Sequence, residues 1–470
     1  MSDAPYTKGP VGPHLLTLST TSAVGIGSLF LVDLVDMFFI ALLGQPALAA
    51  AVGYAGAGLF FMASICIALS IAVSTLVGRA LGADDEAGAR HLATNGILLG
   101  LCLTVPATLA SLAYATPLMA LLGATDTTLT LAARYFSILN ASLPVLVFSI
   151  VGSGLLRVVG AAKRSMTITL IGGGVNAVLD PIFIFVFDWG LDGAALASVA
   201  SRMTVAGLAL HALLRDHELI TRPSVARIRH DLGPLASQAG PALLTNLSTP
   251  LGAAFVTSQM AQFGDAAVAA ASVTGRITPV AFAGLFGLST AVGPVASQNA
   301  GANRLARVND TLVTSARYLV TYVLPVATLL ALGNGVIVTA FDLSADAADL
   351  VRFFCIAITF SYLFSGLQFI ASPIYSALNH PGYSTLANVG RDLLLTLPLV
   401  LLGASQLGAE GVMAGQAAAA SLAGLLSFAV ARRLIAIESS GHRATLSDWL
   451  HKSPCDFHRP VSPGIQTRGH

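Results

Sequence analysis

Residues 77–90, VGRALGADDEAGAR, and residues 296–309, ASQNAGANRLARVN, are two versions of one passage. Each closes an apolar run with a small-residue turn and then opens a new segment with polar and charged side chains. Two further pairs keep the same spacing: LGQPALAAA (43–51) with FGDAAVAAA (263–271), and GLDGAALAS (190–198) with GAEGVMAGQ (408–416). The offsets cluster at about 219 residues, so the 470-residue chain reads as one unit written twice.

Composition names the solvent for both copies. Hydrophobic residues make up 55% and charged residues 10%, with a mean hydropathy of +0.78, whereas soluble domains carry roughly a quarter charged residues. A helix needs about 20 apolar residues to cross the hydrocarbon. Reading between polar breaks gives twelve candidates, near 15–43, 48–78, 92–114, 130–156, 165–187, 191–214, 234–262, 266–297, 313–338, 350–376, 383–404 and 411–436. The expected fold is an all-α polytopic membrane protein with twelve transmembrane helices in two pseudo-symmetric six-helix lobes around a central cavity. Six spans per half is an even number, so both halves keep one orientation and are related by an axis along the membrane normal. The divisions are an N-terminal arm (1–14), an N-lobe (15–214), a basic linker (215–232), a C-lobe (233–437) and a polar tail (438–470) that reads as disordered.

Basic residues orient the spans. Of the 24 Lys and Arg, 19 fall in the arm, in the even-numbered loops and their flanks, or in the tail. The opposite loops hold Asp188, Asp192, Asp265, Asp342, Asp346 and Glu410. Both termini are therefore expected on the cytoplasmic side of a bacterial inner membrane, and Leu15 onward reads as a retained first span. Five arginines lie inside spans or at their edges: Arg134, Arg202, Arg276, Arg352 and Arg391.

Other signals are negative. There is no GxxxxGK[ST] loop, no HExxH, and no CxxC among Cys66, Cys102, Cys355 and Cys455. No cofactor, fixed metal, nucleotide or nucleic acid is expected. A monomer in lipid, acting on small amphipathic molecules, is.

The informative polar groups lie in the oil. IGGGVNAVLDPIFIF (171–185) carries Asn176 and Asp180 one helical turn apart on one face. Asp36 lies eight residues before Gly44, Asp180 eight before Asp188, and Ser198 eight after Gly190. At 1.5 Å per residue all three sit at one depth, roughly 12 Å below the outer ends, so four oxygen-bearing groups converge. An acid at a helix centre costs about 2.5–3.5 kcal/mol on insertion scales and faces a cavity or a partner. The second half has Val256 and about Val400 where the first has Asp36 and Asp180, so the fold itself does not demand the acids. Asp33, Arg202, Arg276 and Gln259 are candidates for a supporting or gating role, and Arg202 serves equally well as a structural counter-ion. Arg276 and Arg391–Asp392 read first as structural or gating rather than substrate-binding.

VGRALGADDEAGAR and its partner, LLRVVGAAKRS (155–165), VNAVLDPIFIF (175–185) and GLDGAALAS resemble, in order and spacing over about 15–437, the multidrug and toxic compound extrusion family. The resemblance implies a central cavity and export of mostly cationic amphipathic drugs in exchange for H⁺ or Na⁺. LVDLVDMFFIALLG (31–44) is similar to the family's first helix, with its aspartate at Asp36. Asn176 and Asp180 fall where the DNA-damage-inducible branch has its Asn and Asp, and Ser198 where that branch carries a threonine. The other bacterial branch keeps acids in helices seven and ten, which here read LLTNLSTPLG (243–252) and YLFSGLQFIA (362–371) with none. The proline that some members use to bend the first helix is missing. The resemblance thus implies an ion-coupling site, able to hold a transient Na⁺, at Asp36, Asn176, Asp180 and Ser198.

Three other functions compete. A flippase of lipid-linked precursors would want several bases in the cavity, where only Arg202, Arg276 and Arg391 are candidates. An intramembrane aspartyl enzyme would want YD and GxGD motifs, which the VD and LD contexts lack. A channel fits poorly with acids confined to one lobe.

Overall fold

The computed structural model describes residues 4–223, 225–341 and 343–440. Asp342 and the tail beyond Ser440 lie outside the described residues, and so does Cys455. The first half runs α1 (Val11–Leu42), α2 (Pro46–Gly82), α3 (Glu86–Ala113), a short helix (Ala115–Leu121), α4 in two pieces (Asp126–Ala141 and Leu143–Val158), α5 (Ala162–Pro181) and α6 (Gly190–His211). The second half runs α7 (Val225–Ala261), α8 in two pieces (Asp265–Ala281 and Ala283–Gly301), α9 (Leu305–Ala340) and α10 (Ala345–Phe353 to Tyr362–Ala377). It ends with α11 (from Pro381–Val389) and α12. Helix Thr396–Ser439 contains the end of α11 and all of α12, divided at Gly408, whose φ of 63° and ψ of −137° no helix tolerates. The protein is a twelve-helix membrane protein, with no strand among the described residues.

The duplication is visible in the backbone. α4 bends by 53° after Ala141, and its counterpart α10 is likewise interrupted, by a π-helical turn over Phe354–Ile358 and a 3-10 turn over Thr359–Ser361. Asp84 and Asn303 close α2 and α8 in the left-handed region, at φ of 59° and 55°. Asp and Asn tolerate that conformation better than most residues. Beside them Asp85 N–H donates to the Ala80 carbonyl (2.9 Å), and Arg304 N–H to that of Asn299 (2.8 Å). The Asp85 carboxylate then caps α3 by accepting from Gly88 N–H at 2.8 Å. The two passages quoted above are one turn, built twice.

They also meet. A Cβ added at Gly82 would strike the backbone of Gln298, and one added at Gly301 would strike the backbone of Arg79. Each repeat uses its glycine to let the other's main chain approach. This happens at the face that carries both ends of the described chain, here the terminal face.

Four apolar cores show how the lobes are arranged. At the terminal face the cores cross the seam. Tyr6, Val11, Leu15 and Leu18 pack with Leu288, Val292 and Tyr375 of the C-lobe, and Leu235 of α7 packs with Val73, Val77 and Leu155 of the N-lobe. At the opposite face each lobe keeps its own core. One is built from Ile40, Leu48, Phe136, Ile184 and Leu191, the other from Met260, Val351, Val400 and Val412. The cleft is therefore sealed at the terminal face and open at the opposite one.

The seal includes a strap. Tyr6 is buried. Its N–H donates to Gln298 Oε1 (2.9 Å), and its carbonyl accepts from Asn299 Nδ2 (3.0 Å) and an Arg307 guanidinium nitrogen (3.0 Å). Its phenol donates across the seam to the Arg157 carbonyl at 2.6 Å, and burial raises that phenol above its ordinary range, so it stays a donor. Arg304 adds a bond to the Thr7 carbonyl at 2.7 Å.

α7 begins at Val225, inside the stretch read as linker. Buried Asp231 accepts from Asn95 Nδ2 of α3 (2.8 Å), and Leu235 docks in the N-lobe core. These two anchors hold the basic stretch as helix.

Candidate ion and substrate site

Three helices of the N-lobe build the site. The glycines of IGGGVN set their separations. A Cβ at Gly172 would run into Val205 of α6, one at Gly173 would lie 3.1 Å from Val32 of α1, and one at Gly174 would meet nothing. The Ser201 hydroxyl donates to the Gly172 carbonyl at 2.7 Å, tying α6 to α5. Beyond Asp180, Pro181 has no N–H to give, and the helix widens into a π-helical turn over Ile182–Val186. Such turns are frequent at functional sites. Gly193 lets α6 press directly on the backbone of that turn.

The four groups expected to converge do converge. The carboxyl groups of Asp36 and Asp180 face each other, with the Ser198 hydroxyl beside Asp36 and the Asn176 amide beside Asp180. Asp180 is 0% and Asn176 4% exposed. Yet Asp36 Oδ1, both Asp180 oxygens and Asn176 Nδ2 are buried without a hydrogen bond of normal geometry. Two ionised carboxylates offer acceptors only, and orphaned buried acceptors are costly. The arrangement has room in its chemistry for a positive charge between the acids: a proton, which converts one acid into a donor to the other, or a cation. No three His, Cys, Asp or Glu side chains among the described residues are placed to hold a metal. A Na⁺ here would add amide and hydroxyl oxygens to the two acids.

The supporting candidates separate. Asp33 is exposed on α1, close enough to feel both Asp36 and Arg202. Arg202 donates to the Leu139 carbonyl (2.9 Å) and to Ser142 Oγ (2.8 Å). It thereby holds the carbonyl end of the first α4 piece at the bend. Gln259 and Arg276 belong to the other lobe and are not brought to the acids. Arg391 is bound to Asp392 at 2.8 Å and reaches Gln368 Oε1 at 3.4 Å, while Ser248 donates to Asp392 at 3.1 Å. These bonds tie α11 to α7 and α10.

Tyr135 was not anticipated. It is buried within electrostatic reach of Asp33, Asp36, Asp180 and Arg202. In the sequence its phenol hides in AARYFSIL, where an aromatic reads as core. The equivalents of the acids behave as expected: Val400 is fully buried and Val256 packs beside it in the C-lobe's outer core.

Known proteins resemble this chain over nearly its whole length. The FAD transporter of Shewanella oneidensis is 28% identical over 431 residues, covering 90% of this chain and 95% of that protein. The multidrug export protein MepA of Staphylococcus aureus is 22% identical over 428 residues, with coverages of 90% and 94%. A MOP superfamily transporter from Pyrococcus furiosus superposes with a TM-score of 0.87 at 22% identity, over 93% of this chain and 98% of that one. An outward-facing multidrug resistance MATE family transporter gives 0.88 at 23%, with coverages of 94% and 99%. The family described as MatE matches twice, over residues 22–182 and 241–402, which start as far apart as the internal repeats. The chain belongs to the MatE family of membrane transporters.

Proposed function

We propose that this transporter is an antiporter that exports cationic or neutral amphipathic compounds in exchange for H⁺ or Na⁺ by alternating access. The observation that carries the reading is the facing pair Asp36–Asp180, buried with unpartnered oxygens in one lobe of a cleft sealed at one face only. A proton or Na⁺ arriving through the open face neutralises the pair, and a cationic compound loses its electrostatic hold. When the ion leaves through the other face, negative charge returns. Ion and cargo thus compete, each weakening the other by the same factor. The acids of the N-lobe and their apolar counterparts in the C-lobe support an ion site of the DNA-damage-inducible type. MepA's name supports multidrug cargo. The flippase reading loses support because Arg202 and Arg391 are both engaged within the protein.

The test is transport in proteoliposomes with a fluorescent lipophilic cation under an imposed H⁺ or Na⁺ gradient. Uphill movement with one gradient, abolished by collapsing it, is the expected result; movement indifferent to both sinks the proposal. The proposed orientation, with the terminal face cytoplasmic, is tested separately. A cysteine at exposed Arg222 should label with an impermeant maleimide only from the cytoplasmic side.

A further inference from the structure

Of the five arginines that the sequence places in or beside spans, four are engaged. Arg134 pairs with Asp192, Arg352 with Asp349, Arg391 with Asp392, and Arg202 with the Leu139 carbonyl and Ser142. Arg276 is the exception. It is exposed on the first piece of α8, and no described residue gives it a hydrogen bond or ion pair. It lies eleven residues from the open end of that helix, roughly 16 Å deep.

An unpaired guanidinium at that depth cannot face lipid without heavy cost, and its helix shows where it points. Ala267, Ala270 and Val273 form the buried stripe that packs into the C-lobe core. The exposed stripe is Ala269, Ser272, Gly275 and Arg276, followed one turn on by Val280; its first two turns are small and polar, with open space at Gly275. Lipid-facing helices of this protein look different: α9 exposes Leu329, Leu332 and Val336. α8 also approaches α1, the helix that carries Asp33 and Asp36. On the neighbouring α7, Thr249 is exposed twelve residues from that helix's end, at about the same depth. The cleft therefore has acids on one wall and an uncompensated guanidinium on the other.

We propose that Arg276 is an anion anchor for cargo, so that the substrate class includes amphipathic molecules carrying a phosphate or carboxylate. Arg suits this task because its planar fork grips two oxygens of one anion. Ser272, one turn earlier on the same exposed stripe, and Thr249, at similar depth on α7, offer hydroxyls on the same wall. The inference rests on the transport reading above for its direction, but the anchor can be tested by binding alone.

The probes are riboflavin and its 5′-phosphate, identical fluorophores that differ by one phosphate. Binding to purified protein in detergent is read by fluorescence anisotropy for wild type, Arg276→Gln and Arg276→Lys. The phosphate form should bind wild type about tenfold or more tighter than riboflavin. Arg276→Gln should erase that difference, and Arg276→Lys should keep part of it. In proteoliposomes, Arg276→Gln should slow the phosphate form while leaving a lipophilic cation unaffected. A lipid headgroup could offer the same chemistry. If phosphatidylglycerol in the bilayer suppresses phosphate-form binding to wild type, and labelled phosphatidylglycerol crosses only when Arg276 is present, the anchor holds and lipid is its ligand. Equal binding of the two flavins to wild type would overturn the proposal. So would parallel loss of anionic and cationic transport in Arg276→Gln, which would mark a structural or gating residue. Failure of any gradient to drive wild-type transport would sink the antiport reading and leave the binding result standing.

Discussion

Asp180→Asn should bring gradient-driven export down to the level of empty vesicles, with insertion and folding intact. The substitution keeps the size of a side chain that has no exposure at all and removes its charge and its titration together. Asp36 would then face an amide in place of a carboxyl, and the pair could no longer exchange a whole positive charge for cargo. The lost coupling is worth the whole driving force, since each charge moved across the membrane carries about 2.3 kcal/mol per 100 mV. Binding of a neutral amphipath should survive, because the apolar cleft is untouched. Asp36→Asn should behave the same way. Asn176→Ala and Ser198→Ala separate the two candidate ions. A Na⁺ site loses a ligand oxygen in each case, so the Na⁺ needed for half-maximal export should rise about tenfold or more. A proton site keeps its acids and should shift by much less. Full export by Asp180→Asn at normal expression, under an imposed gradient, would refute the mechanism.

Most of this site was legible because oil is a quiet background. An aspartate among isoleucines and phenylalanines needs a reason, and equal distances along the chain to three helix ends are enough to bring Asp36, Asp180 and Ser198 to one depth. The twelve spans were legible for a similar reason, as the polar breaks between them coincide with basic residues at alternate loops. What escaped depended on shape. Arg202 takes its role from the α4 bend, where Leu139 and Ser142 offer oxygens. The local sign was Pro144, which opens the second piece of that helix, but no pattern links it to an arginine 58 positions later. The start of α7 was hidden because basic residues over 227–229 look like a solvated linker, while its anchors, Asp231 and Leu235, take their meaning from α3 and the N-lobe core. The isolation of Arg276 was equally invisible, since a lack of partners is a property of the packed molecule.

Gly82→Ala should tip the transporter away from the arrangement described here. The added Cβ would strike the Gln298 main chain, which cannot rotate aside as a side chain could. The lobes must part at the terminal face or the variant must carry the strain. Overpacking of this kind costs about 1–3 kcal/mol, enough to shift a two-state equilibrium by about 5–150-fold. Gly301→Ala makes the reciprocal clash with Arg79 and should act in the same direction. The double variant should fall short of additive, because parting the lobes relieves both clashes. Tyr6→Phe removes only the phenol bond to the Arg157 carbonyl and keeps the ring in the core and the strap's main-chain contacts, so its shift should be smaller. Gly174→Ala, where a Cβ meets nothing, is the control that should change little. Spin labels on cysteines at exposed Thr127 and Ser344, one on each lobe at the open face, report the outcome. Their separation should shorten in Gly82→Ala and Gly301→Ala as that face closes. An unchanged distance in a folded, monodisperse Gly82→Ala protein would mean that the repeated turns do not form the seal between the two states.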